Sequence, residues 1–269
     1  MKPLKILGRS KANQQYLAGY LPDRLRLVGN PGQHIETFPV KQIKRVRILR
    51  RADGYSVHFG VDAFRQIEHV ETGSVVGIDM GLKVFYADSN GNTVENPRHY
   101  RKAEKKLKRL HRQVSRKQKK SKNRKKARQH LAKASLKVQR QREDFARKTA
   151  NALVSSHDLI AYEHLQIGNL VKNRKLAKSI HDAAWGQFLN WVKAYGIMHD
   201  VPVVAVAPQY TSQDCSGCGE CVKKTLSTRT HVCPSCGLVL DRDENAARNI
   251  LAKALEGTLG HRETYEPVS

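Results

Sequence analysis

The chain has 269 residues, with 49 Lys and Arg against 24 Asp and Glu, a formal charge of +25 and a pI of about 10.1. That length suits one large domain or two modest ones with a core able to fold alone, and the charge points to a polyanionic partner while saying nothing of fold. The longest apolar run, Val203 to Ala207 with Val201 just before it, is far too short for a helical membrane span. No secretory leader precedes Lys2-Pro3-Leu4-Lys5, so a cytosolic compartment is the default expectation.

Residues 1–72 read as short strands at Leu25–Val28, Arg45–Leu49 and Tyr55–Val61. The last two alternate in period two around Arg51-Ala52-Asp53-Gly54, a hairpin turn signal, and suggest part of a small β-barrel or sheet. Val75-Val76-Gly77-Ile78-Asp79 is an apolar strand ending in an acid, followed by a strand at Val84–Asp88. Ser89-Asn90-Gly91-Asn92 then turns the chain into a third short strand.

Between Arg98 and Lys148 stand 23 Lys and Arg and three acids, so this segment carries +20 of the total charge. Leu107, Leu110 and Val114, then Leu131, Val138 and Phe145, recur at helical spacing. Lys119 to Lys126 has no apolar stripe and reads as the connector between two basic helices, the second running to Ser156. Like charges at i, i+4 destabilise a helix, so an excess of this size calls for phosphates as neutraliser.

A further apolar strand, Asp158–Leu165, carries Glu163 near its end. Ala183 to His199 follows a helix pattern with Trp185, Phe188, Leu189, Val192 and Tyr195 on one face. Val201–Ala207 is another buried strand, and Asp243–Leu255 closes the chain as an Ala-rich helix. Strands alternating with helices in this way describe an α/β sheet with crossover helices.

Two sets of residues carry chemistry. Cys215-x-x-Cys218 and Cys233-Pro-Ser-Cys236 form two knuckles able to surround one tetrahedral Zn²⁺. Cys221 makes a third cysteine at that spacing and is expected to stay outside the site as a free thiol. Asp79, Glu163 and Asp243 lie 84 and 80 residues apart, and only folding can bring them together. Acids at the ends of neighbouring strands can share Mg²⁺ or Mn²⁺, and two such ions stabilise the attacking water and the leaving 3′ oxygen of a phosphodiester. Each acid also has a structural alternative: a turn residue at Asp79, a satisfied edge charge at Glu163, a helix N-cap at Asp243. Glu163 stands within Leu159-Ile160-Ala161-Tyr162-Glu163-His164-Leu165, where a charge needs a partner or a metal.

Gly77-Ile-Asp79-Met-Gly-Leu-Lys, Asn96-Pro-Arg98, Ser115-Arg-Lys, Ser121-Lys-Asn-Arg-Lys-Lys-Ala-Arg, Tyr162-Glu-His-Leu165, Tyr210-Thr-Ser-Gln213, Leu226-Ser-Thr-Arg229 and Asp241-Arg-Asp-Glu-Asn-Ala-Ala247 together resemble the OrfB/TnpB family. These are transposon-encoded proteins long called transposases, understood as RNA-guided DNA endonucleases and related to type V CRISPR effectors. The resemblance runs in order from about residue 40 to residue 255. It implies an α/β fold: an RNase H-like (RuvC) nuclease domain at 73–210 and 238–257, with a basic helical hairpin insert at 98–156 and an inserted zinc ribbon at 211–237. A partial wedge-like β-barrel at 1–72 precedes it, and 258–269 is a tail.

By the same resemblance Asp79, Glu163 and Asp243 are the catalytic, magnesium- or manganese-binding acids, Arg229 touches the scissile strand, and Cys215, Cys218, Cys233 and Cys236 hold structural zinc. Nucleic acid is expected on Arg98, Arg116, Lys117, Lys122, Asn123, Arg124, Lys125, Lys126 and Arg128. The implied partners are a guide RNA from the transposon end and target DNA, in a bacterial or archaeal cytoplasm, close to the nucleoid. Family members are generally longer, so the chain is expected to hold only the second half of the barrel. A truncated, non-catalytic nucleic-acid-binding remnant or regulator is therefore the alternative to a DNA endonuclease.

Overall fold

A computed structural model of the chain describes residues 39–62, 68–173, 176–225 and 228–262. Packing divides the chain into two units, Met1–Arg65 and Gln66–Ser269. The described part of the first unit is a 3₁₀ turn at Val40–Gln42 and an antiparallel hairpin of β1 (Ile43–Arg51) and β2 (Gly54–Val61). The hairpin closes at Arg51↔Gly54 around Ala52-Asp53, where the turn signal placed it. Burial along β1 recurs every third residue, at Ile43, Val46 and Leu49, and not in period two. Among the described residues this pair has no third strand to give it an inner face. The strand expected at Leu25–Val28 lies outside the described residues.

The second unit is built on a five-stranded mixed sheet. Its strands are β3 (Val75–Met80), β4 (Val84–Asp88), β5 (Thr93–Glu95), β6 (Leu159–Glu163) and β7 (Val203–Val206), in the spatial order β5-β4-β3-β6-β7. The hairpins β3–β4 and β4–β5 are antiparallel, whereas β6 runs parallel to β3 and β7 parallel to β6. Parallel neighbours need long crossovers. The first is made by α1 (His99–Ser115) and α2 (Lys122–Ser155), the second by α3 (Ile167–Leu170), α4 (Ala177–Ala183) and α5 (Trp185–His199). A final helix, α6 (Arg242–Arg262), follows a two-stranded ladder of β8 (Thr230–Val232) and β9 (Val239–Asp241).

Strand side chains alternate between faces, and here the two faces have different coverings. Val76, Ile78 and Met80 of β3 and Ile160 and Tyr162 of β6 pack on Ala146, Ala150, Leu153 and Val154 of α2 and on Phe188, Leu189 and Val192 of α5. Phe85 sits edge-on to both Phe145 and Phe188, its ring centroid 4.9 Å from each. On the other face Ala161 and Val206 meet Ile250 and Ala254 of α6, with Leu159, Val204 and Leu251 around them. Strands covered on both sides read as continuous apolar runs, which is why β3, β6 and β7 were legible.

Asp158, just before β6, ties the approach to β3 in place. Its carboxylate accepts from Thr72 N, Gly73 N, Thr72 Oγ1 and His69 Nε2, at 2.6 to 3.1 Å. Three expectations change in detail. The basic connector is shorter, because Ser121 Oγ accepts from Arg124 N at 3.2 Å and starts α2 at Lys122. Cations at a helix N-terminus oppose its dipole, so the run Lys122–Lys126 did not advertise a helix start. The helix expected at Ala183–His199 is α5 and starts two residues later, at Trp185, because Ala184 at φ 57° separates it from α4. The last helix also extends past Leu255, to Arg262.

Candidate active site and metal centre

Asp79 and Glu163 occupy the ends of adjacent parallel strands, one residue beyond the paired positions Ile78↔Tyr162. Each follows a small residue at i−2 on its own face, Gly77 before Asp79 and Ala161 before Glu163. This is the face that α6 covers, through Ile250 and Ala254. A Cβ on Gly77 would stand 2.2 Å from Ala247 O, 2.8 Å from Leu251 N and 2.9 Å from Leu251 Cβ. Glycine is thus required where the backbone of α6 rests on β3. Small residues on the strands and Ala246 and Ala247 on the helix bring α6 down onto the sheet, with Asp243 in its first turn.

The sequence motif around the third acid holds two aspartates, and they do different things. Asp241 Oδ1 accepts from Asp243 N at 2.8 Å and so caps α6. The capping alternative raised for Asp243 therefore belongs to Asp241, while the charge of Asp243 bears on Asp79. The Asp79 carboxyl is pushed up to about 8, first by burial and then by the negative charges of Asp243, Glu163 and Asp241, with Arg242 opposing them. Burial also raises Glu163, against the Thr211 hydroxyl and the Lys253 ammonium, which lower it. Thr211 Oγ1 donates to Glu163 Oε1 at 2.6 Å. The cations whose charges reach these carboxyls are Arg242 and Lys253, and carboxylates of this kind could also hold a divalent cation.

Arg229 is brought to the same region by its backbone, Arg242 N donating to Arg229 O at 2.7 Å, while its side chain is exposed. The guanidinium whose charge reaches Asp79 is that of Arg242. Arg242, Thr211 and Lys253 were not singled out from sequence. Arg242 sits between the two motif aspartates and Thr211 within the Tyr210–Gln213 motif, so both could have been read there, whereas nothing local marks Lys253.

The four expected cysteines do converge. Every pair of Sγ atoms among Cys215, Cys218, Cys233 and Cys236 lies within 4.8 Å, with Cys215–Cys236 at 3.6 Å and Cys218–Cys233 at 3.5 Å. Thiolates 2.3 Å from a tetrahedral Zn²⁺ stand about 3.8 Å apart, so this set fits zinc. Each knuckle closes with a glycine in the left-handed region, Gly219 at φ 77° and Gly237 at φ 74°, whose N–H donates to the first cysteine's carbonyl. Cys221 is exposed and outside the cluster, its Sγ 3.7 Å from Gln213 Oε1. His231, on β8, is fully buried, and neither ring nitrogen has a hydrogen-bond partner among the described residues.

The predicted nucleic-acid residues are spread along the hairpin. Arg98 is the N-cap of α1 at φ 49°, Arg116 is its C-cap and Lys117 follows; Lys122, Asn123, Arg124, Lys125, Lys126 and Arg128 lie in the first two turns of α2. All are exposed except Arg124, which is half-buried and donates from Nη1 to Lys117 O at 3.4 Å. Among the described residues no helix is long and apolar enough to cross a membrane.

Residues 58–174 match the family model OrfB_IS605, described as a probable transposase, and residues 185–250 match the Cas12f1-like TNB domain. Two relatives bear the name "Putative RNA-guided DNA endonuclease". One, from Streptomyces pristinaespiralis, is 38% identical over 186 residues, which is 68% of this chain and 46% of the relative. The other, InsQ of Escherichia coli (strain K12), is 32% identical over 195 residues, 66% of this chain and 48% of the relative. The chain thus spans about half the length of these curated relatives. Among solved structures, that of the Cas12f1–sgRNA–target DNA complex matches with a TM-score of 0.49 at 16% identity, over 77% of this chain and 55% of that one.

Proposed function

The chain belongs to the OrfB/TnpB family, and we propose that it is a metal-dependent, RNA-guided DNA endonuclease of that family. The observation that carries this reading is that Asp79 and Glu163 stand at the ends of adjacent parallel strands and that the charges of Glu163 and of Asp243, in the first turn of α6, both bear on Asp79. On this reading the sheet, the α2 and α5 layer and α6 form an RNase H-like (RuvC) nuclease domain at 73–210 and 238–257. The hairpin at 98–156 and the zinc ribbon at 211–237 are its inserts, and 1–72 belongs to a wedge-like barrel. The strand order, with two antiparallel hairpins beside two parallel crossovers, supports that assignment.

Asp79, Glu163 and Asp243 would hold Mg²⁺ or Mn²⁺, all three being hard oxygen donors. Bound there, such ions supply Lewis acidity to an attacking water and to the leaving 3′ oxygen. The chain's own groups do the rest. Thr211 orients Glu163, Asp241 fixes the first turn of α6, and Arg242 keeps positive charge beside the acids. Arg229, exposed and joined to Arg242 through its backbone, would touch the strand being cut.

The basic hairpin, from Arg98 through Arg128, grips nucleic acid by its backbone, and pairing with a guide RNA from the transposon end supplies sequence specificity. The zinc ribbon acts as a clamp that presents α6 to the sheet. The setting is a bacterial or archaeal cytoplasm, close to the nucleoid.

Purified with transposon-end RNA and given Mg²⁺ and a DNA complementary to the guide, the chain is expected to cut. Asp79→Ala should abolish cutting and leave RNA binding intact. Cutting that survives Asp79→Ala overturns the site. RNA binding without any cutting in Mg²⁺ or Mn²⁺ identifies a non-catalytic binding protein instead.

A further inference from the structure

The stretch Tyr210–Gln213 leads from β7 to the first zinc knuckle, and only 2% of Thr211 is accessible. At 2.6 Å its bond to Glu163 Oε1 falls in the range of a charge-assisted O–H···O⁻ contact. The other acceptor in reach, Pro208 O, is at 3.3 Å, so the single hydroxyl proton goes to the carboxylate. The backbone of the same stretch is fixed from α6. Asn249 Nδ2 donates to Thr211 O and to Asp214 O, both at 2.8 Å. Asn245 is fully buried; its Nδ2 donates to Asp214 O at 2.8 Å and its Oδ1 accepts from Ser216 N at 3.0 Å. Ser216 lies inside the first knuckle, beside Cys215. An unbroken chain of contacts therefore runs from the zinc-binding cysteine, through two asparagines of α6, to the carboxylate of Glu163.

We infer that Thr211 is a positioning residue for Glu163, and that Asn245 and Asn249 transmit the placement of the zinc knuckle to it. The inference rests on the reading of the three acids as a divalent-cation site. A free glutamate carboxylate samples several rotamers at a strand end. The Thr211 hydroxyl selects one of them, which places Glu163 beside Asp79. The asparagines spend their amides on the backbone of Thr211, Asp214 and Ser216, so that the hydroxyl is held in turn by the ribbon. The ribbon then sets two of the three acids by separate routes: Asp243 through the start of α6, and Glu163 through Thr211. Removing a partner of a metal-holding carboxylate typically costs about 10- to 100-fold in metal affinity.

The test is Mn²⁺ titration of the zinc-loaded full chain, followed by electron paramagnetic resonance. Asp79→Ala first identifies the site as the binding that this substitution removes. Thr211→Val is expected to weaken that binding by about 10- to 100-fold, Thr211→Ser to restore it, and Thr211→Val on a Glu163→Gln background to add nothing further. Zinc content and thermal melting check each variant. If Thr211→Val does not fold, Thr211→Ala removes the hydroxyl without setting a methyl group against Glu163. Wild-type affinity in the hydroxyl-free variant overturns the inference and leaves the reading of the acids standing. An equal loss on the Glu163→Gln background also overturns it, since the residue would then act through the fold. If the wild-type chain shows no Mn²⁺ binding that Asp79→Ala removes, the reading of the acids fails, and the inference falls with it.

Discussion

Gly77→Ala adds one methyl group, and the structure says where it goes. The new Cβ would stand 2.2 Å from Ala247 O, 2.8 Å from Leu251 N and 2.9 Å from Leu251 Cβ. Carbon and oxygen need a little over 3 Å, so β3 and α6 must part by about 1 Å; none of the three atoms is the end of a flexible side chain that could swing aside. Overpacking of this kind costs about 1–3 kcal/mol. In a unit of roughly 200 residues each kcal/mol lowers Tm by about 2–4 °C. The same step carries Asp243, four residues up the helix from Ala247, away from Asp79. A misplacement of about 1 Å can cost ~10²-fold in rate. Differential scanning calorimetry and guide-directed DNA cleavage are the two assays. Gly168→Ala is the control, because a Cβ there meets nothing within 4 Å. If Gly77→Ala melts and cuts like wild type while Gly168→Ala does too, then close seating of α6 is not what assembles the acids.

Two further outcomes follow from the same structure. Hydrogen bonds from Thr72 N, His69 and Gly73 N hold the Asp158 carboxyl well below the usual carboxylate range. A carboxylate depressed in the folded state gives stability that is full above its unfolded value near 3.9 and is lost as pH falls toward the folded one. Asp158→Asn should therefore flatten the loss of stability below about pH 4, measured by urea melts across pH 2 to 6; an unchanged slope would refute the clamp. His231→Leu replaces a buried imidazole that has no hydrogen-bond partner among the described residues. It should keep zinc and melt at or above the wild-type temperature, because removing an unsatisfied polar group is neutral or stabilising; loss of zinc would show that His231 has a partner the structure does not reveal.

The residues that a reader of the chain could find are those whose neighbours in sequence explain them. Gly77-Ile78-Asp79 announces a buried strand ending in an acid, and Cys-x-x-Cys announces a knuckle, because spacing and chemistry are both local. The small residue two places before each acid was also in view, at Gly77 and Ala161, yet its meaning depends on which helix lands there. Thr211 and Glu163 are 48 residues apart, and Asn249 and Thr211 38 apart. No periodicity predicts such pairs. The resemblance pointed to the second of the two aspartates flanking Arg242, but the capping role of the first needed the helix start at Arg242. The helix start at Ser121 was hidden for the opposite reason: its cap is orthodox, but the cations after it argue against a helix.

The 34 residues of α2 make a rod of about 50 Å, and no residue of it before Val138 is buried. Its far end enters the core through Ala146, Ala150, Leu153 and Val154, and α1 packs along the rest of it. Mechanically this is a braced arm. Sequence drift near the tip is taken up by the α1 brace and the root of the arm, away from the sheet beneath the acids. An arm of that build can vary in sequence while the sheet stays as it is.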